Sequence, residues 1–89
     1  MRMTFHATER RTQRNLPLDI LRLIQSYGEP VHSRGALSLM LDDATIDLIA
    51  EGDLRRRQSL SRYRGAYLVE SCNGTVITAA RRSRRHRRH

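Results

Sequence analysis

The chain has 89 residues, 38% of them hydrophobic, and its 17 basic residues are all arginine against nine Asp and Glu, for a net charge of +8. That length supports one small domain with a single modest core. The lone Cys72 excludes an internal disulfide framework and a cysteine-based zinc site, and no stretch approaches the ~18–20 apolar residues of a membrane span.

From the N-terminus, Met1–His6 holds no apolar run that could serve as a signal peptide. Residues 5–14 are polar with few breakers and read as a short helix, on which His6, Arg10 and Arg14 share one face at i, i+4 and i+8. Asn15 is the expected N-cap of a second helix. Leu16, Ile20, Leu23, Ile24 and Tyr27 recur at i, i+4, i+7, i+8 and i+11, the strongest periodic signal in the chain. Pro17 falls in its first turn, Asp19 suits the positive end of its dipole, and Gly28 reads as a C′ residue ahead of Pro30. From Val31 to Leu41 the period drops to two, with Leu37, Leu39 and Leu41 on one face of a strand and Ala36, Ser38 and Met40 on the other. Asp42 or Asp43 can cap a short helix holding Ile46, Ile49 and Ala50, which Gly52 ends. Asp53 can cap a further helix to about Arg64 whose thin apolar face (Leu54, Leu60, Tyr63) keeps it at the surface. Two β-prone runs, Tyr67–Cys72 and Thr75–Ala80, flank Asn73-Gly74, a strong hairpin signal because a type I′ turn needs φ > 0 at both centres. The expected fold is therefore α+β, with N-terminal helices packed on a small antiparallel sheet that ends in a C-terminal hairpin. One domain spans 1–84, followed by a basic tail at 85–89.

The charge is uneven. Residues 81–89 carry six Arg, while the first 80 residues hold 11 Arg against nine acidic groups, a net of +2. Such a run binds polyanions or is a solvated tail. The His6, Arg10, Arg14 face suits a phosphodiester, because Arg stays charged and fits phosphate oxygens bidentately while His titrates near neutrality. Metal-independent RNA cleavage needs those parts: a base for the 2′-OH, cations for the phosphorane, and an acid for the leaving oxygen. A solvated basic helix face accounts for the same spacing. A second cluster, Arg55-Arg56-Arg57 with Arg62 and Arg64, also reads as a solvated face. Tyr63 and Tyr67 could stack on bases, although aromatics near a strand are more often core or rim. The four histidines give no convergent metal set, since His86 and His89 lie within a cationic run, and neither a metal nor a cofactor is expected.

The stretch Phe5-His6-Ala7-Thr8-Glu9-Arg10-Arg11-Thr12-Gln13-Arg14, the ending Tyr27-Gly28, and the closing Tyr67-Leu68-Val69, Val76-Ile77-Thr78 and Arg81-Arg82 together resemble a family of small bacterial proteins within the RelE/barnase-like ribonuclease toxin superfamily. The resemblance covers both ends of the chain and matches the middle loosely. It implies a metal-independent endoribonuclease, the toxin of a toxin–antitoxin pair. By position, His6, Arg10 and Arg82 would be catalytic, and Arg14, Thr78, Arg81, Arg84, Arg85 and His86 would contact RNA. Two departures stand out: Asn15 replaces a glycine, and Ala80-Arg81 stands where a Gly-His pair is expected. Arg81 can hold a phosphate but is a poor general acid or base, which leaves the proton chemistry to His6 or His86.

Three readings follow: a ribonuclease toxin, a non-catalytic RNA- or ribosome-binding module, and an interaction protein for an acidic partner. The expected partners are RNA, in one form on the ribosome, and an acidic antitoxin protein masking the basic surface. The expected location is the cytoplasm, with no membrane attachment.

Overall fold

The structure, a computed structural model, describes residues 1–82. The expected domain boundary at residue 84 therefore lies outside the described residues, as do Arg84, Arg85 and His86. Thr4 opens the first helix, α1 (Phe5–Gln13), because its hydroxyl accepts from the Ala7 N–H at 3.1 Å and satisfies one of the orphan donors of the first turn. Arg14 closes it by donating its N–H to the Arg10 carbonyl. The second helix, α2 (Leu18–Tyr27), buries Ile20, Leu21 and Ile24, the stripe that a 3.6-residue period turns to one side.

Both ends of α2 differ from expectation. Asn15 does not cap it. It takes a left-handed conformation (φ 53) in the linker, which Asn tolerates better than most residues, and Pro17 occupies the N-cap with no side-chain hydrogen bond. Gly28 is not a left-handed C′ residue either, since its φ of −65° and ψ of 146° are open to any residue. What requires glycine there is proximity. A Cβ would stand 2.7 Å from the Ile24 carbonyl oxygen and 3.2 Å from Leu39 Cβ.

The period-two stretch is a hairpin and not a single strand: β1 (Val31–Ser33) and β2 (Ala36–Met40) pair antiparallel around Arg34-Gly35. Both turn residues have positive φ, 50° and 78°, as a two-residue primed turn requires. Asp42 caps α3 (Asp43–Ala50) by accepting from the Thr45 N–H at 2.9 Å, and Asp53 caps α4 (Leu54–Ser61) through Arg55 and Arg56 N–H. Glu51 and Gly52, both at positive φ, break the chain between them. The last helix ends at Ser61, shorter than expected, and its Leu54 is 75% exposed while Leu60 is buried.

The final hairpin joins β3 (Ala66–Ser71) to β4 (Val76–Arg81). Its turn differs from the expected type I′. The Gly74 N–H donates to the Ser71 carbonyl at 2.9 Å, and only Gly74 has positive φ (86°). That is a three-residue loop with the glycine in the left-handed position. Asn73 contributes through its side chain, which accepts from the Thr75 N–H at 3.1 Å.

The four strands form one antiparallel sheet in the order β1-β2-β3-β4. Register fixes its two faces, because side chains alternate along a strand. Leu39 pairs with Leu68 and Leu68 with Ala79, and all three are buried with Leu41, Ala66 and Val76. Against this face pack Ala7 of α1 and Ile20, Leu21 and Ile24 of α2, and Ile46 and Ile49 of α3, which adjoins α2 and α4, join the same core with Leu60 of α4. The helices thus lie on one side of the sheet, and among the described residues no helix packs on the other, the open face. On β4, Ile77 forms a bulge, since Val69 pairs with Thr78 but Glu70 pairs with Val76. The outer edge of β4 is met by the N-terminus. The Val76 N–H donates to the Arg2 carbonyl, the Thr4 N–H donates to the Val76 carbonyl, and the Thr4 hydroxyl donates to the Ile77 carbonyl at 2.9 Å. No helix is long and apolar enough to cross a membrane, among the described residues.

Candidate nucleic-acid interface

Strand alternation decides where the C-terminal candidates point. Thr78, Ala80 and Arg82 project from the open face, while Ala79 and Arg81 project toward the helices. Arg82 follows the last residue of β4, but its N–H still donates to the Gly65 carbonyl at 2.9 Å and its Cβ faces the Gly65 Cα hydrogens, so the alternation extends to it. Arg81 pairs with the buried Ala66 and turns its guanidinium to the Arg62 carbonyl on the helical side. The adjacent arginines therefore belong to opposite faces of the sheet.

The N-terminal candidates lie on α1. Ala7 is the buried residue of that helix, and Arg10 and Arg11 are half-buried to either side of it, as a step of about 100° per residue dictates. His6 and Arg14 are exposed on the flank that includes Arg10. Because Thr4 is bonded to Val76 and Ile77, His6 belongs to the starting end of β4. Arg82 lies five residues beyond Ile77, roughly 16 Å along the strand. The backbone register thus sets His6 and Arg82 toward opposite ends of β4. Arg11 points into a cleft of about 300 Å³ at the junction of α1 and α2, with its Nε buried and unpartnered.

The second basic cluster is partly committed to structure. Arg57 pairs with Asp47, and Arg64 Nε lies 2.7 Å from Asp43 Oδ1, so both tie the α4 region to α3. These pairs are largely exposed and add little stability, yet they neutralise charge that would otherwise be available to a polyanion.

The open face is ordered in cross-strand rows. Met40, Tyr67 and Ala80 form one row, and Ser38, Val69 and Thr78 form the next, with Val31 beyond Ser38. Arg82 stands opposite the bare Gly65 at the end. Among the described strand residues that register turns to this face there is no carboxylate; Asp42, two residues beyond Met40, spends its side chain capping α3. The one carboxylate on a strand, Glu70, points to the helical side, where Gln25 Nε2 donates to its Oε2 at 2.8 Å. Tyr67, which the sequence left undecided between core and surface, is the only aromatic that register turns to the open face among the described residues. The signal that could have placed it was its neighbour: a buried Leu68 forces Tyr67 outward.

No family model, curated protein or solved structure matches the chain. The residues and their geometry are therefore what bear on its role. Among the described residues, no group of three or more His, Cys, Asp or Glu is placed to hold a metal ion.

Proposed function

We propose that the protein binds RNA through the open face of its sheet. The observation that carries this reading is the segregation of charge. The described strand residues of the open face include no carboxylate, and Arg82 at its end leads directly into residues 83–89, which add four more arginines. A surface so arranged attracts phosphates through counterion release. The hydroxyls of Ser38 and Thr78 add neutral donors for phosphate or sugar oxygens.

The exposed flank of His6, Arg10 and Arg14 favours a second reading, a metal-independent endoribonuclease acting as the toxin of a toxin–antitoxin pair. In that reading His6 removes the 2′-OH proton, the 2′-oxygen attacks phosphorus, Arg10 and Arg14 stabilise the charge that builds on the phosphorane, and the P–O5′ bond breaks as the 5′-oxygen takes a proton from water. Arg82, at the far end of β4, would hold an adjoining phosphate and not the reacting one. An acidic antitoxin protein would mask the same basic surface. The RNA-binding reading is preferred because it needs no convergence of the two ends of β4.

Two measurements test these readings. Affinity for a labelled RNA, followed by fluorescence anisotropy between about 50 and 200 mM salt, should fall along a steep log–log line. Absence of binding at the low-salt end refutes RNA binding. Incubation with total RNA in EDTA then separates the two: fragments with 2′,3′-cyclic phosphate ends that disappear in His6→Ala support the nuclease, and intact RNA with retained binding supports the simple module.

A further inference from the structure

We propose that Tyr67 is a stacking platform for a base of single-stranded RNA, with Arg82 engaging the adjoining phosphate. This inference rests on the RNA-binding reading and specifies which form of RNA the face selects. Tyr67 is half-buried between Met40 of β2 and Ala80 of β4, whose methyl group is the smaller of the two neighbours. Across β3 and β4, the two diagonal neighbours of Tyr67 are Thr78 and Arg82, and across β2 its diagonal neighbour is Ser38. Diagonal positions are roughly 7–8 Å apart, within reach of long side chains. The aromatic ring thus lies between Met40 and Ala80, with two hydroxyls and one cation at the diagonal positions, and Asp42 beyond Met40 is engaged in capping α3.

The size of the face selects its occupant. Four strands span about 14 Å and five residues about 17 Å, an area near 250 Å², whereas a stable protein interface needs about 800 Å² on each partner. Two or three nucleotides fit the smaller figure. A second copy of the chain would also bring a further net charge of +8 against the first. A duplex keeps its bases stacked on each other and offers none to Tyr67, so the platform distinguishes single strands from duplex while the arginines alone do not.

The test compares a short labelled oligoadenylate with an RNA duplex of equal length, using the full chain. Tyr67→Leu should weaken single-strand binding roughly tenfold and leave duplex binding and the salt slope almost unchanged, because no phosphate contact is lost. Tyr67→Phe should keep most of the affinity, and Tyr27→Leu, at the exposed end of α2, should change nothing. In the parent protein, the Tyr67 ring protons should shift upfield on titration with oligoadenylate, a readout that does not depend on any variant folding. Equal losses for single strand and duplex, no change in Tyr67→Leu, or an unshifted ring each overturn the proposal. So does sedimentation as a dimer that Tyr67→Arg dissociates, which would assign the face to a second copy. If the parent binds RNA steeply with salt but ignores Tyr67, only the platform fails. If the parent binds no RNA, the proposed function fails with it.

Discussion

Replacing Gly28 by alanine tests how α2 is joined to the sheet. The backbone there is extended, so an added Cβ meets no conformational barrier, only neighbours. It would stand 2.7 Å from the Ile24 carbonyl oxygen, and relief to the 3.4 Å where ordinary contact begins requires a retreat of about 0.7 Å. The oxygen belongs to backbone and cannot rotate away. It also accepts the Gly28 N–H at 2.8 Å, the bond that closes the last turn of α2. On the other side, Leu39 Cβ at 3.2 Å blocks movement toward β2. Overpacking of this kind costs about 1–3 kcal/mol, and at about 2 kcal/mol a domain of this size loses roughly 10 °C in Tm. Thermal and urea denaturation followed by circular dichroism would measure the loss. Gly28→Asn discriminates the cause. Asn tolerates the left-handed region, so it would be the milder change if Gly28 served as a left-handed cap, and the harsher one if crowding is the reason. A melting temperature within about 2 °C of the parent for Gly28→Ala, or Asn tolerated better than Ala, would refute the crowding argument.

Other substitutions address other joints. Thr4→Ala removes both the cap of α1 and the hydroxyl bond to Ile77, and should lower stability by about 1.5 kcal/mol in urea titrations while Thr4→Ser restores most of it. Asp42→Ala should cost about 1 kcal/mol at neutral pH through the lost cap of α3. The hydroxyl of Thr45 first, and then its N–H, hold the Asp42 carboxyl below its usual 3.8. A depressed carboxyl stabilises the fold fully above that value and loses its contribution as pH falls through the lowered one. The urea midpoints of parent and Asp42→Ala should therefore converge in strong acid, and a constant gap would contradict the assignment. Removing residues 83–89 deletes four arginines and should flatten the salt dependence of single-strand binding by up to about 3 in log–log slope.

The parts of the fold legible in the sequence are those set by local chemistry. The stripe of α2, the caps Asp42 and Asp53, and the alternation around Leu39 each follow from a few neighbouring residues. The first hairpin was hidden because Arg34-Gly35 lacks the Asn or Asp that usually marks a primed turn, and arginine there carries its positive φ without a compositional sign. The second hairpin was visible for the wrong turn: Asn73-Gly74 needed one left-handed residue and not two, because Cys72 joined the loop. Gly28 shows the limit most plainly, since its reason is Leu39, eleven residues away and across a layer. At the candidate site, period two could already have separated Arg81 from Arg82. Which face is open could not be read, because it depends on where all four helices pack.

The bonds between Thr4 and β4 join positions 73 residues apart, and this governs when the domain can assemble. During synthesis at roughly 5–20 residues per second, α1 waits about 4–15 s for the strand it packs on. Until then Ala7 has no core to enter, and the β3–β4 ladder has not begun. α1 is thus completed by β4, so the nascent chain has no early folded intermediate containing α1 in its final place. Fusing the two termini through a short linker would shorten that separation and should accelerate folding more than it raises stability.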